Sequence, residues 1–537
     1  MEDGAAAKCY NAIPTKESDA EKSDVKMSRG TESSASSADR CLLISSNAFQ
    51  YILPILDWLP TYNVRDNLHS DLVTGLTVGI MVVPQGMAYA TLAGVDPVYG
   101  LYSCFFSAFF YMLFGTSKHI SIGTFAVASM MVGSVCAKLL PNQTVLGGEK
   151  LINGTLSRGT EGNNGLGIPL DDEITPLVLT STLTFGVGCF QLFLALFRLS
   201  FLTNYFSDSL ISGFTTGAAV HVLTSQLDKL IGVKIKRHSG IGMILFMWRD
   251  LAMASSRANP LTLAISAFGL TFLSLGRFFV SPWFSKRFRI PFPLELFLVV
   301  FGIIFSSLFH FKESHGVQIV DHVPEGIPLP SVPRFELLIH IWPSVVSIAT
   351  ICYIFVFSLG RIFAKKHNYA VNANQELYAL GLCSLLSSFF PVYPSGASLS
   401  RSSLCEMTGA KTQLHALFSS ALLLIVILWI GSLLEPLPMA ILACIVAVSL
   451  RSLFMQFGEL PKLWRTNVYD FYVWLVAFFS TAFLNITVGL TVSLLFSLSM
   501  FGLRKLNGIV GKRQNASPAP RHRSRSPKLP QIITLSQ

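Results

Sequence analysis

Phe390-Pro391-Val392-Tyr393-Pro394-Ser395-Gly396-Ala397-Ser398-Leu399-Ser400-Arg401-Ser402-Ser403 is the stretch whose reading decides the fold. Apolar runs flank it at 375–392 and 412–434, yet Pro, Gly and Ser surround a single Arg between them. Backbone this irregular survives at membrane depth only where protein buries it or where it lines an aqueous cavity. A second break, Ser121-Ile122-Gly123-Thr124, opens the apolar run at 120–140. One break thus precedes a helical run in each half of the apolar region, as expected of membrane proteins built from inverted repeats. No residue-level similarity between the halves accompanies this pattern.

The surrounding sequence supports the membrane setting. Of 537 residues, 51% are hydrophobic and 13% charged, where a soluble domain carries about 25% charged residues. Mean hydropathy is +0.54. A span needs roughly 20 mostly apolar residues. Such runs fall at 72–92 (broken by Pro84-Gln85-Gly86), 98–114, 120–140, 175–197, 205–228, 240–276 and 291–311. They continue at 341–364, 375–392, 412–434, 437–456 and 468–507, some holding two segments. The chain reads as an all-α polytopic membrane protein. Residues 1–50 are polar and read as a disordered cytosolic leader, 51–507 as the membrane domain, and 508–537 as a disordered basic tail.

Charge fixes the expected orientation. Lys118, Arg198, Arg277, Lys286, Arg287, Arg289, Lys365, Lys366, Lys411, Arg451, Lys462 and Arg465 lie on the joins expected to face inward, with both termini, a consistent positive-inside pattern once the loop at 141–174 is placed outside. The loop at 141–174 then faces outward. It carries two glycosylation sequons, at Asn142 and Asn153. The basic patch at 229–237 breaks the rule, since it falls in a predicted outer loop. The net charge of +10 comes mostly from the tail, where Arg504, Lys505, Lys512, Arg513, Arg521, Arg523, Arg525 and Lys528 have no acid among them. Attraction to anionic lipid explains that tail better than nucleic-acid binding does.

The two breaks suggest an anion site. Two short helices beginning at Thr124 and Ser398 would turn their N-termini toward each other, each with about four unpartnered N–H groups and partial positive charge. Ser398, Ser400, Ser402 and Ser403 add hydroxyl donors, and Arg401 adds a full charge. An Arg at the centre of a membrane helix costs roughly 2.5–3.5 kcal/mol on insertion scales, which argues for a role. The alternative is that Arg401 pairs with Glu406 or reaches loop carbonyls. Gln85 follows Pro84 and either donates to the anion or satisfies the Pro-interrupted backbone. Tyr89, one turn on, faces the same way. Phe125 is an apolar gate or packing. Glu295 is a proton or charge-balancing partner, or simply an acid favoured at a helix N-terminus. Glu376 has the same two readings.

Other chemistries find no support. G-x-x-x-x-G-K-[ST], H-E-x-x-H and G-x-S-x-G are absent, so no enzyme is expected. The nine Cys are scattered, most of them inside apolar segments, without metal-ligand spacing, so neither metal nor cofactor is expected.

Several strings together resemble the sulfate permease (SulP) anion transporter family. They are Leu59-Pro60-Thr61-Tyr62, Asp71-Leu72-Val73-Thr74-Gly75-Leu76-Thr77-Val78-Gly79 and Val83-Pro84-Gln85-Gly86-Met87-Ala88-Tyr89-Ala90, then Pro97-Val98-Tyr99-Gly100-Leu101-Tyr102-Ser103 and Gly115-Thr116-Ser117-Lys118-His119-Ile120-Ser121-Ile122-Gly123. Ser400-Arg401 and Pro291-x-Pro293-x-Glu295 add to them. Cys104 stands where a smaller residue is usual, and Thr124-Phe125-Ala126 is similar to the animal multifunctional exchangers. The resemblance implies a 7+7 inverted repeat with a core and a gate domain, and two half-helices meeting at the midplane. It also implies sodium-independent exchange of sulfate, oxalate, chloride or bicarbonate by elevator-like alternating access. Gln85, Tyr89, Phe125, Ser400 and Arg401 match the family's substrate positions. The implied partners are small anions, membrane lipid and a second copy of the chain, in the plasma membrane. Members usually continue into a cytosolic STAS domain, which this sequence lacks. A non-transporting, dominant-negative short form is therefore one alternative. An anion channel and a nucleobase carrier on the same fold are the others.

Overall fold

The computed structural model describes residues 53–140, 174–235, 240, 242–288, 292–324 and 326–515. The expected leader, the loop with Asn142 and Asn153, Arg237, Arg289 and the tail beyond 515 lie outside these residues.

The first half begins with α1 (Val64–Ala93), entered where the Asn63 side chain accepts the Arg65 N–H and ended by Gly94 in the left-handed region. The expected break at Pro84 does not occur, because α1 runs through it as one helix. Neighbouring helices make a proline tolerable in a membrane helix. Then follow α2 (Pro97–Phe114), strand β1 (Ile122–Gly123), α3 (Ala126–Leu139), α4 (Pro176–Leu196) and α5 (Asp208–Ile231). The apolar run at 240–276 holds two elements, a surface helix α6 (Met243–Ala254) and α7 (Pro260–Leu275), before α8 (Leu294–Phe309) closes the half.

The second half repeats the order. It comprises α9 (Leu338–Lys366), α10 (Ala373–Ser387), strand β2 (Gly396–Ala397), α11 (Leu399–Met407), α12 (Leu414–Ile425), α13 (Met439–Ser449), α14 (Val468–Phe483) and α15 (Ile486–Asn515). The last helix thus continues past residue 507. Among the described residues, eight helices are long and apolar enough to span a membrane, and α3, α8 and α14 are shorter apolar ones. The chain is a multi-pass membrane protein.

Packing displays the repeat that residue identities hide. α1 packs on α12 as its counterpart α9 packs on α4; α2 packs on α12 as α10 packs on α4; α5 packs on α14 as α13 packs on α7. Each half therefore lends helices to the other. The result is two bundles, α1–α4 with α9–α12, and α5, α7 and α8 with α13–α15, corresponding to the expected core and gate. They meet chiefly through α1 on α13 and α8, and α3 on α5.

Close helix crossings require small residues. α1 and α2 cross at Gly86 and Gly100, where a Cβ on Gly100 would fall 2.0 Å from the Gly86 carbonyl oxygen. Small residues are how membrane helices bring backbones together.

Polar ties fix the remaining joins. Buried Asp71 on α1 accepts the N–H groups of Lys411 (2.8 Å) and Thr412 (3.1 Å) and the Thr412 hydroxyl (2.6 Å), holding the turn from α11 into α12. Asp71→Ala would strand those donors at a cost of about 3 kcal/mol. A fall of several degrees in the melting temperature of the purified protein is expected, and an unchanged melting curve would contradict this role. Glu376 on α10 plays a similar part, accepting the Tyr111 hydroxyl (2.8 Å), the Thr116 N–H (3.1 Å) and the Thr116 hydroxyl. It is a structural tie between α10 and the end of α2.

Candidate anion-binding site

The two breaks meet. β1 and β2 pair antiparallel, Ile122 opposite Ala397 and Gly123 opposite Gly396. A two-residue strand on each side satisfies backbone that would otherwise be orphaned inside the bundle. The pairing sets α3 and α11 starting from one point, with Phe125 and Ser398 as N-caps in extended conformation. Neither cap makes a side-chain hydrogen bond, so the first-turn N–H groups lack the usual capping acceptor.

Arg401, in the first turn of α11, is 0% exposed. Its Nη1 donates to the Thr124 carbonyl at 2.7 Å and to Gln85 Oε1 at 3.2 Å. Among the described residues, Nε and Nη2 have no hydrogen-bond acceptor. A Cβ on Gly123 would come within 3.1 Å of Nη2, so glycine there makes room for the guanidinium. Glu406 is not its partner. That carboxylate turns outward to Lys366 (2.7 Å) and His367 (3.2 Å). Arg401 does reach one loop carbonyl, that of Thr124, but with a single nitrogen.

Gln85 does not mend the backbone beside Pro84. Its Oε1 faces Arg401, and its Nε2 donates to the Tyr89 hydroxyl at 3.2 Å. The Tyr89 hydroxyl lies 3.4 Å from Ser449 Oγ at the end of α13, so the cluster reaches the second bundle. Ser400 shares a 3.1 Å hydrogen bond with Ser398. It stands half-buried at the mouth beside Leu399, which is 37% exposed. Phe125 covers the other side, its ring 5.2 Å from that of Phe355. A Cβ on Gly396 would run into the Phe125 ring at 2.6 Å. Gln85, Tyr89 and Arg401 are thus linked by hydrogen bonds, with Phe125 and Ser400 at the N-termini of α3 and α11.

Glu295 stands apart from that cluster. It pairs with Arg277 Nη2 at 2.7 Å, and Arg277 Nη1 donates to the Val448 carbonyl at 3.1 Å. Arg277 belongs to a π-turn, Gly276–Val280, at the end of α7. The Glu295 pair adjoins the cluster through Val448, the neighbour of Ser449, and through the charge of Arg277, which acts on Tyr89. Sequence reasoning missed Thr124, Ser449 and Cys104. The Cys104 sulfur lies 3.2 Å from Thr124 Oγ1 and accepts the Thr124 N–H at 3.4 Å, steadying the carbonyl that Arg401 uses. Only the unusual Cys in the second span hinted at this. Lys229 is also placed differently from expectation. It is buried in the last turn of α5, with its ammonium donating to Thr91 on α1 at 2.6 Å, and is not part of an exposed loop patch.

The sulfate permease family model matches residues 68–477. The chain belongs to this family. Prestin of Homo sapiens is 38% identical over 456 residues, covering 84% of this chain and 59% of prestin. The sulfate transporter of Bos taurus is 33% identical over 460 residues, covering 86% of this chain and 62% of that one. The chain thus spans about three fifths of the length of these sulfate permease relatives. The structure of the murine Solute Carrier 26 family member A9 anion transporter in the inward-facing state superposes with a TM-score of 0.76 at 30% identity. That match covers 92% of this chain and 76% of that one.

Proposed function

We propose that this protein is a secondary anion transporter that binds a small inorganic or organic anion between the N-termini of α3 and α11. One observation carries the reading: a fully buried Arg401 whose Nε and Nη2 have no acceptor among the described residues. A buried guanidinium without counter-charge is costly, and an oxyanion or halide offers the missing charge. Guanidinium suits the planar, two-point recognition of oxyanions. Gln85 and Ser400 supply neutral donors, the two helix termini add partial positive charge, and Phe125 and Phe355 keep one wall apolar. Among the described residues no carboxylate is hydrogen-bonded to Gln85, Tyr89, Ser400 or Arg401, which disfavours a nucleobase with N–H groups to donate.

The position of the cluster supports alternating access as the mechanism. Tyr89 and Ser449 face each other across the seam between the bundles. Sliding the core bundle along that seam carries the cluster from one side of the membrane to the other, giving sodium-independent exchange of chloride, bicarbonate, sulfate or oxalate. The cation-bearing joins and both termini lie in the cytosol, the loop with Asn142 and Asn153 is outside, and two chains associate in the plasma membrane. In proteoliposomes holding the purified chain, labelled sulfate or chloride uptake is expected to rise with unlabelled anion on the trans side. Uptake indifferent to trans anion would mark a channel, and uptake of uracil but not sulfate would sink the anion reading.

Glu295 is the fixed counter-charge of Arg277 in this reading, not a carried proton site. Glu295→Gln is expected to slow exchange several-fold while leaving its dependence on external pH unchanged. A pH profile flattened in this variant would restore the proton role.

A further inference from the structure

α7 and α8 leave an apolar groove of about 550 Å³ on the outside of the gate bundle. That volume is within the roughly 300–1,000 Å³ typical of small-ligand pockets. Six of its eleven lining residues are phenylalanine (268, 272, 279, 292, 297 and 301), and Thr271 carries its sole side-chain hydroxyl. Membrane helices that pack on one another use small residues. Walls of large aromatic rings instead suit a flexible hydrocarbon chain. Beyond Val280 the helix continues over Ser281–Phe288, with Lys286 and Arg287 exposed. At 1.5 Å per residue these cations stand about 9–10 Å further along the axis from the groove's last residue. Trp283 on the same segment is 68% exposed, as an interfacial anchor would be. The sequence from 251 to 294 contains no acid, so nothing along it neutralises this end.

We propose that the groove binds an anionic phospholipid, one acyl chain lying between α7 and α8 and the headgroup meeting Lys286 and Arg287. The site also touches the gate's internal wiring. Gly276 and Leu294 line the groove, and a Cβ on Gly276 would meet Leu294 at 2.5 Å. The next residue on each element is Arg277 or Glu295, the half-buried ion pair whose arginine donates to Val448, beside Ser449. An acyl chain pressed on Gly276 and Leu294 holds that pair in place.

Native mass spectrometry of the full chain, purified in mild detergent and supplied with phosphatidylserine or phosphatidylcholine, tests the proposal without requiring transport. Wild type is expected to retain phosphatidylserine about tenfold over phosphatidylcholine. The double variant K286Q/R287Q, on exposed positions, is expected to lose that preference. Thr271→Trp, which fills the groove, is expected to lower retention of both lipids. Equal retention of the two lipids by wild type overturns the proposal, as does a preference kept in the double variant. A Thr271→Trp protein that keeps its lipid but changes from dimer to monomer also overturns it, assigning the groove to a second copy.

Discussion

Arg401→Gln is expected to lower anion flux by about 30-fold or more while surface expression and melting temperature stay near wild type. Removing one member of a buried, hydrogen-bonded charge pair costs about 2–5 kcal/mol, which is roughly 30-fold to several-thousandfold in affinity. In this variant the anion would lose its full counter-charge and keep only helix termini and neutral donors. Folding should survive, because among the described residues Arg401 makes two hydrogen bonds, both through Nη1. A glutamine amide can still donate to the Thr124 carbonyl. Arg401→Lys separates charge from geometry: it restores a point charge without the planar fork, so partial flux with weaker preference for oxyanions is expected. Sulfate flux and surface labelling measured side by side decide the matter. Flux within twofold of wild type in Arg401→Gln would remove Arg401 from the site.

Gly100→Leu is the second large effect, and it acts on the fold. Its Cβ would fall 2.0 Å from the Gly86 carbonyl oxygen and 3.1 Å from Ala90 Cβ, inside any tolerated contact. The obstacle is helix backbone, so no side chain can rotate away. α1 and α2 would have to separate, and α1 also carries Gln85 and Tyr89. Overpacking in a close-packed interior costs about 1–3 kcal/mol and more where backbone blocks relief. Loss of both surface expression and flux is expected. Normal surface labelling of Gly100→Leu would contradict the close crossing of α1 and α2. Together the two variants distinguish a site residue, which loses flux alone, from a packing residue, which loses both.

Gln85 and Arg401 are conspicuous in the amino-acid sequence alone, because polar residues in apolar runs are expensive and need a reason. Tyr89, Phe125 and Ser400 join them as positions that the family resemblance implies. Two local features mislead. Pro84 has the look of a break, yet α1 continues through it, since neighbouring helices decide whether a proline ends a membrane helix. Lys229 has the look of an exposed basic loop residue, yet the helix carries one turn further and buries it against Thr91. Thr124 and Ser449 are invisible, because a carbonyl and a common serine carry no mark of what they will face.

By itself, the sequence determined that this is a multi-pass membrane protein of the sulfate permease family, with two irregular breaks and one costly arginine between them. The membrane setting, the breaks and the costly arginine follow from local energetics (hydropathy, turn chemistry and the penalty for charge in a bilayer), and the family from the resemblance of whole strings of residues. The tertiary structure decided that the breaks pair as β1 and β2, that Arg401 has two nitrogens without an acceptor among the described residues rather than a pairing with Glu406, and that Tyr89 faces Ser449 across the seam. It also decided that Glu295 is engaged by Arg277. Each is a contact between residues from distant segments, and the register of one helix against another depends on which close crossings, such as Gly86 on Gly100, the assembled bundle permits.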